Sequence, residues 1–179
     1  MGRTIPQRNA TQRVTIMTKT ADLQVIGKAA YDSIACMVEA LECDYDRLEE
    51  LRDRAASEDP DDALECDEQD ELDELEDQAN GCDDEDDAVR AIEEDPLSIQ
   101  VRGGWHCPGD GNDCPDEYEI LLSTGGPASR IRGELDNYGQ PVSAVLSVQD
   151  WFTPWTDYNG CDEDVLLTYA SRHWFGEGC

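Results

Sequence analysis

The groups in this chain with the most chemical potential are carboxylates. Its 179 residues carry 43 Asp and Glu against 13 Lys and Arg, a formal net charge of −30. Eighteen of those acids lie in the 30 residues from Glu58 to Asp87, a stretch that contains no base. They are Glu58, Asp59, Asp61, Asp62, Glu65, Asp67, Glu68, Asp70, Glu71, Asp73, Glu74, Glu76, Asp77, Asp83, Asp84, Glu85, Asp86 and Asp87. Carboxylates three or four apart on a helix stand about 5–6 Å from each other on one face. A continuous 30-residue helical path would be about 45 Å long, giving one charge per ~2.5 Å, against one per ~1.7 Å of duplex DNA. Such a surface suits a protein whose own groove binds nucleic acid. The same run also reads as a solvated arm, since like charges at i, i+4 weaken a helix. Leu64, Leu72 and Leu75 favour a fold, because a purely solvating tail has no use for them.

Other chemistry is thinner. His106, Cys107 and Cys114 offer three zinc donors on a Gly-rich turn, but no fourth ligand and no Cys-x2-Cys pair completes a site. Asp110-Gly111-Asn112-Asp113 has calcium-loop composition, but Pro115 stands where an EF-hand loop needs Gly. Ser123-Thr124-Gly125-Gly126 looks like a phosphate cradle without its Lys, and reads as a hairpin turn. Neither histidine, His106 or His173, sits in a nucleophile motif. The expectation is a protein without catalytic residues, cofactor or metal. Trp151-Phe152-Thr153-Pro154-Trp155 reads either as filling for the seam between sheet and terminal helix or as a partner-binding hot spot at Trp151 and Trp155. Arg130 and Arg132, two apart on a strand, share a face.

The charge excludes whole classes of function. Direct nucleic-acid binding and docking on anionic membranes both need a basic surface. No apolar run approaches the ~20 residues of a membrane span, and the N-terminus lacks the apolar core of a secretory signal. The expected location is the cytoplasm, and a reducing compartment leaves most of the eight cysteines as free thiols. Met17 is an alternative start to Met1.

The elements that position these groups follow from periodicity. Residues 1–21, with four bases and no acid, read as a basic flexible arm. Residues 22–95 form an acidic helical segment with 30 acids and five bases. Ile34, Met37, Val38, Leu41, Leu48, Leu51 and Ala55 predict a helix from about Asp22 to Ser57, with Gly27 interrupting its start. Pro60 and its flanking acids predict a second helix over 61–79, closed by Asn80-Gly81, and a third runs over 84–94. Residues 96–179 form an α+β domain. Alternation at Leu97/Ile99/Val101, at Tyr118/Ile120/Leu122, around Ile131 and at Val142/Ala144/Leu146/Val148 predicts about four antiparallel strands, then a helix over 162–174. The fold class is therefore α+β: an acidic helical hairpin, an antiparallel sheet and a C-terminal helix.

Several segments resemble small acidic proteins encoded by phages, prophages and plasmids of Proteobacteria. They are Leu41 to Leu51 (LECDYDRLEEL), Asp95 to Ile99 with Gly104-Trp105-His106, Glu117 to Asp136 (EYEILLSTGGPASRIRGELD) and Gln149 to Thr156 (QDWFTPWT). Leu166 to Ala170 and Phe175-Gly176-Glu177 extend the likeness over most of residues 38–178. The resemblance implies a mobile-element accessory protein acting in a bacterial host. By analogy with its setting it implies an inhibitor of host defence, of the anti-CRISPR or anti-restriction kind, whose partner is a nucleic-acid-binding protein or complex. The alternative is an accessory module that binds a host protein through its C-terminal Trp/Arg surface, with the acidic stretch serving solubility.

Overall fold

The computed structural model describes residues 10–57, 59, 63–104, 114–151 and 153–176, with the backbone alone over 10–21. Among these residues five helices and five strands follow in order: α1 (Ala10–Ala40), α2 (Tyr45–Ala56), α3 (Cys66–Ala79), α4 (Glu85–Glu94), β1 (Ser98–Arg102), β2 (Glu117–Ser123), β3 (Ala128–Glu134), β4 (Val145–Gln149), β5 (Thr156–Asp157) and α5 (Glu163–Ala170). The class is α+β, with the helices first, the sheet second and one closing helix.

The helical boundaries differ from those the periodicity predicts, for local reasons. The stripe from Ile34 to Ala55 is two helices, because Asp44 accepts a hydrogen bond from the Arg47 N–H at 3.1 Å and starts a new one. Helical backbone runs back to Ala10, so residues 10–21 of the expected arm are the first part of α1. Gly27 does not interrupt that helix. It sits under Tyr158, and a Cβ added there would lie 2.5 Å from the ring, so glycine is what allows β5 to close on α1. The second helix starts at Cys66 rather than near Asp61, with Glu65 and Glu68 forming a capping box. It ends as expected at left-handed Asn80. Asp84 caps α4 by accepting from the Asp87 N–H at 2.7 Å.

The sheet is an antiparallel meander in the order β1-β2-β3-β4-β5. The short β5 is the strand that alternation did not reveal, since two residues carry no period. Pairing Ile120 with Ile131 and Ile131 with Leu146 puts these side chains on one face. There they meet Ile34 and Val38 of α1, Ile92 of α4, and Leu166, Tyr169 and Ala170 of α5. Each fully buried Leu or Ile contributes about 1.5–3 kcal/mol, so this cluster dominates the stability. A separate, smaller cluster holds the helical hairpin: Cys43, Leu48 and Leu51 against Leu72 and Ala79. Ala40, Cys82 and Ala88 join the two along α1 and α4.

The aromatic filling of the main core is Tyr118, Tyr158, Tyr169 and Phe175, with Tyr118 and Phe175 rings 4.7 Å apart. Trp151 and Trp155 do not fill the seam. Trp151 is 62% exposed and lies against the β2–β3 hairpin, where a side chain on Gly126 would strike its indole. The Gly126–Pro127 peptide in that turn is cis. Trp155 lies on the opposite, open face of the sheet under the Arg130 guanidinium, 4.1 Å from the ring centre.

Candidate partner-binding surface

The acidic run is folded rather than strung out, and the fold sorts its carboxylates by task. Arg47 and Arg54 reach across from α2 to α3. Arg47 bonds Glu71 through two nitrogens at 3.2 and 2.6 Å, and Arg54 pairs with Glu68. Arg52 meets Glu76 at 3.3 Å and Asp83 at 3.5 Å. The Arg54 guanidinium, helped by the Glu65 N–H, pulls the Glu68 carboxyl down to about 2. Arg47 holds Glu71 below the usual carboxylate range in the same way. Glu65 and Asp84 serve the caps, and Asp87 bridges Arg90 at 2.6 Å.

Two stripes are left over. On α3, Asp67, Asp70, Glu74 and Asp77 are exposed at intervals of three, four and three, turned away from buried Leu72 and Ala79. On α2, Asp46, Glu49 and Asp53 repeat the pattern at intervals of three and four, turned away from Leu48 and Leu51. Glu85 and Asp86 add two exposed charges in the first turn of α4, where the helix dipole favours them. Asp73, beside the α3 stripe, accepts from Gln69 at 3.0 Å.

Every base between residues 22 and 95 is already engaged inside the protein. Lys28 bridges Asp32, the three arginines of α2 bridge Glu50, Glu71, Glu68, Glu76 and Asp83, and Arg90 bridges Asp87. The outer stripes therefore face solvent with no base beside them to cancel their field. Their arrangement is shorter than a continuous path implies, because Asn80-Gly81 breaks the run. The α3 stripe spans about 15 Å, with charges about 4.5–6 Å apart on one rail. DNA carries one phosphate per ~3.4 Å on each strand, so the densities remain comparable.

Glu58, Asp61 and Asp62 lie outside the described residues, as do His106, Cys107, Asp110 to Asp113 and Phe152. Asp59 stands in the connection between α2 and α3, its N–H donating to Ser57 Oγ at 3.2 Å. The α2 stripe escaped a reading built on the base-free run. Its signal was available in the spacing of Asp46, Glu49 and Asp53, but Arg47, Arg52 and Arg54 masked it by lowering the local charge.

Compared with protein-family models, curated proteins and solved structures, the chain matches none.

Arg130 and Arg132 share the open face of the sheet, as their spacing requires, and pair with the protein's own acids: Arg130 with Glu119 at 2.6 Å, Arg132 with Asp157 at 3.7 Å. Cys36, Cys43, Cys66, Cys82 and Cys161 are free thiols, whereas Cys114 is disulfide-bonded and so is no thiolate ligand for zinc. Burial raises the thiols of Cys43, Cys82 and Cys161, which makes them poor nucleophiles. Burial lowers the His173 imidazole, whose Nε2 is enclosed beside Tyr169 without a hydrogen-bond partner. Among the described residues, no group of three or more His, Cys, Asp or Glu side chains could hold a metal ion. Among them too, no helix is long and apolar enough to cross a membrane.

Proposed function

We propose that this protein is a non-catalytic inhibitor from a mobile genetic element, acting in the cytoplasm of a bacterial host. Its acidic helices would occupy the positively charged groove of a nucleic-acid-binding defence protein, such as a CRISPR effector or a restriction enzyme. The observation that carries this reading is the division of labour among the carboxylates. One set engages all five bases of residues 22–95, three of them the arginines that hold α2 to α3, and a second set, on capped and leucine-anchored helices, presents unbalanced charge outward. A groove evolved to release counterions from DNA gains the same free energy from such a surface, with the same steep loss in salt. The resemblance to phage and plasmid proteins supports the setting.

The test is a binding titration against CRISPR effectors and restriction enzymes at rising salt, with duplex DNA as competitor. Affinity should fall by orders of magnitude from low to high salt, and DNA and the protein should exclude each other. Replacing Asp67, Asp70, Glu74 and Asp77 by Asn or Gln should weaken binding at least ~10-fold, by removing about four phosphate-like contacts. Salt-independent affinity would sink the reading.

A second reading has one specific observation behind it. The open sheet face presents Arg130 stacked on Trp155, with Trp151 exposed at the neighbouring hairpin. If that face binds a host protein, Trp155→Ala abolishes binding while the α3 substitutions leave it intact.

A further inference from the structure

A groove of about 440 Å³ runs between α1 and the end of the β2–β3 hairpin. Val25, Ala29 and Ala30 of α1 form one wall, and Leu122 and Pro127 the other. Asp95, just past the C-terminus of α4, supplies its one charge. The size and the apolar lining with a single charged group are those of a site for a small or slender ligand.

The chemistry of the occupant follows from how Asp95 is held. Tyr169, fully buried, donates its hydroxyl to Asp95 Oδ2 at 2.5 Å. That bond fixes the carboxylate and leaves its other oxygen for a second donor. Glu93, Glu94 and Asp95 crowd the negative end of the α4 dipole, and the last turn of that helix contains no base. A cation is what this end of the helix lacks. Among the described residues no Lys or Arg forms an ion pair with Asp95, and Lys28, on the same stretch of α1, is bridged to Asp32 at 2.6 Å.

We propose that the groove takes the side chain of a lysine from the surface of a protein partner. The methylenes would lie along Val25, Ala29 and Leu122, and the ammonium would meet Asp95. Lysine fits better than arginine because one carboxylate oxygen is already engaged. A guanidinium fork gains its advantage from both oxygens, whereas an ammonium is a point charge that needs one. The inference rests on the reading of a basic protein partner and gives that partner a point of shape recognition that the acidic stripes do not provide.

The experiment follows backbone amide shifts in the full chain on titration with n-butylammonium, n-butanol, n-butylguanidinium and N-acetyl-lysine methylamide. Butylammonium and the lysine amide should give saturable shifts at Ser33, Ser123 and Ser129, which border the groove. Butanol should bind about fivefold more weakly, the scale of an ion pair open to solvent, and butylguanidinium, which keeps the charge without its bidentate advantage, should fall between the two. Asp95→Asn keeps an acceptor for Tyr169 and should remove the preference for the ammonium. Ala29→Phe should block all four probes. Equal binding of butanol and butylammonium, or full binding by Asp95→Asn, would overturn the proposal. So would loss of the response in the variant lacking the four α3 acids, because the signal would then be bulk electrostatics. Failure of the acidic-surface reading shows elsewhere, as salt-independent partner binding with the probe titration unchanged.

Discussion

At the scale of single residues, Gly27 sets two effects against each other. Gly27 lies within α1, where replacement by Ala improves helix propensity by about 1 kcal/mol. The new Cβ would stand 2.5 Å from the Tyr158 ring, which is itself buried in the main core. Overpacking of that kind costs about 1–3 kcal/mol, so Gly27→Ala should lower the urea midpoint, a helix-stabilising change that weakens the protein. Tyr169 gives a pH prediction. Burial, then the hydrogen bond and charge of Asp95, push its phenol well above the ordinary value. A raised pKa means that the folded state keeps a proton the unfolded chain gives up. The stabilisation is complete below the unfolded value of ~10 and declines as pH rises above it. Tyr169→Phe should cost about 1.5–3 kcal/mol at neutral pH, the range for a bond to a charged acceptor. It should also flatten the fall in stability between about pH 9 and 11, measured by urea unfolding at each pH.

At the scale of elements, the helical hairpin and the sheet have separate hydrophobic clusters, so they should respond separately to damage. Leu51 is fully buried and belongs to the hairpin cluster rather than to that of the sheet. Leu51→Ala should cost about 2–5 kcal/mol and open α2 from α3. Far-UV circular dichroism at 222 nm should drop, while the near-UV signal of Tyr118, Tyr158 and Tyr169 persists. Coincident loss of both signals would show one cooperative unit. This division also explains what the sequence revealed. Strand alternation at Tyr118-Ile120 and Leu146-Val148, and the C-cap at Asn80, are local signals that the elements follow, although β4 begins at Val145, past Val142 and Ala144. The split at Asp44 was hidden because the apolar stripe carries on through it with the same period. The role of Gly27 was hidden because it depends on Tyr158, more than a hundred residues away. The acidic surface was half legible: the run announced α3 and α4, but which acids face outward depends on the reach of Arg47, Arg52 and Arg54 across the hairpin.

At the scale of the whole molecule, the stripes pose a question of energy. With a net charge of −30 and every base of the acidic segment bridged internally, the outward carboxylates of α2, α3 and α4 repel one another through solvent. The screening length falls from about 30 Å at ~0.01 M salt to about 3 Å at ~1 M, so added salt removes the repulsion. Salt also weakens the bridges between α2 and α3, but exposed pairs contribute little each, and the unpaired acids outnumber them. The melting temperature should therefore rise by roughly 5 °C between low salt and ~0.5 M NaCl, measured by calorimetry. Replacing Asp67, Asp70, Glu74 and Asp77 by their amides should raise the melting temperature at low salt and shrink the salt response. A surface that costs stability and is nonetheless built on capped, leucine-anchored helices needs a use outside the fold. The same four substitutions must then weaken salt-sensitive binding to a basic partner at least ~10-fold while making the protein more stable. If instead they destabilise it, the stripes serve folding, and the charge no longer argues for a partner.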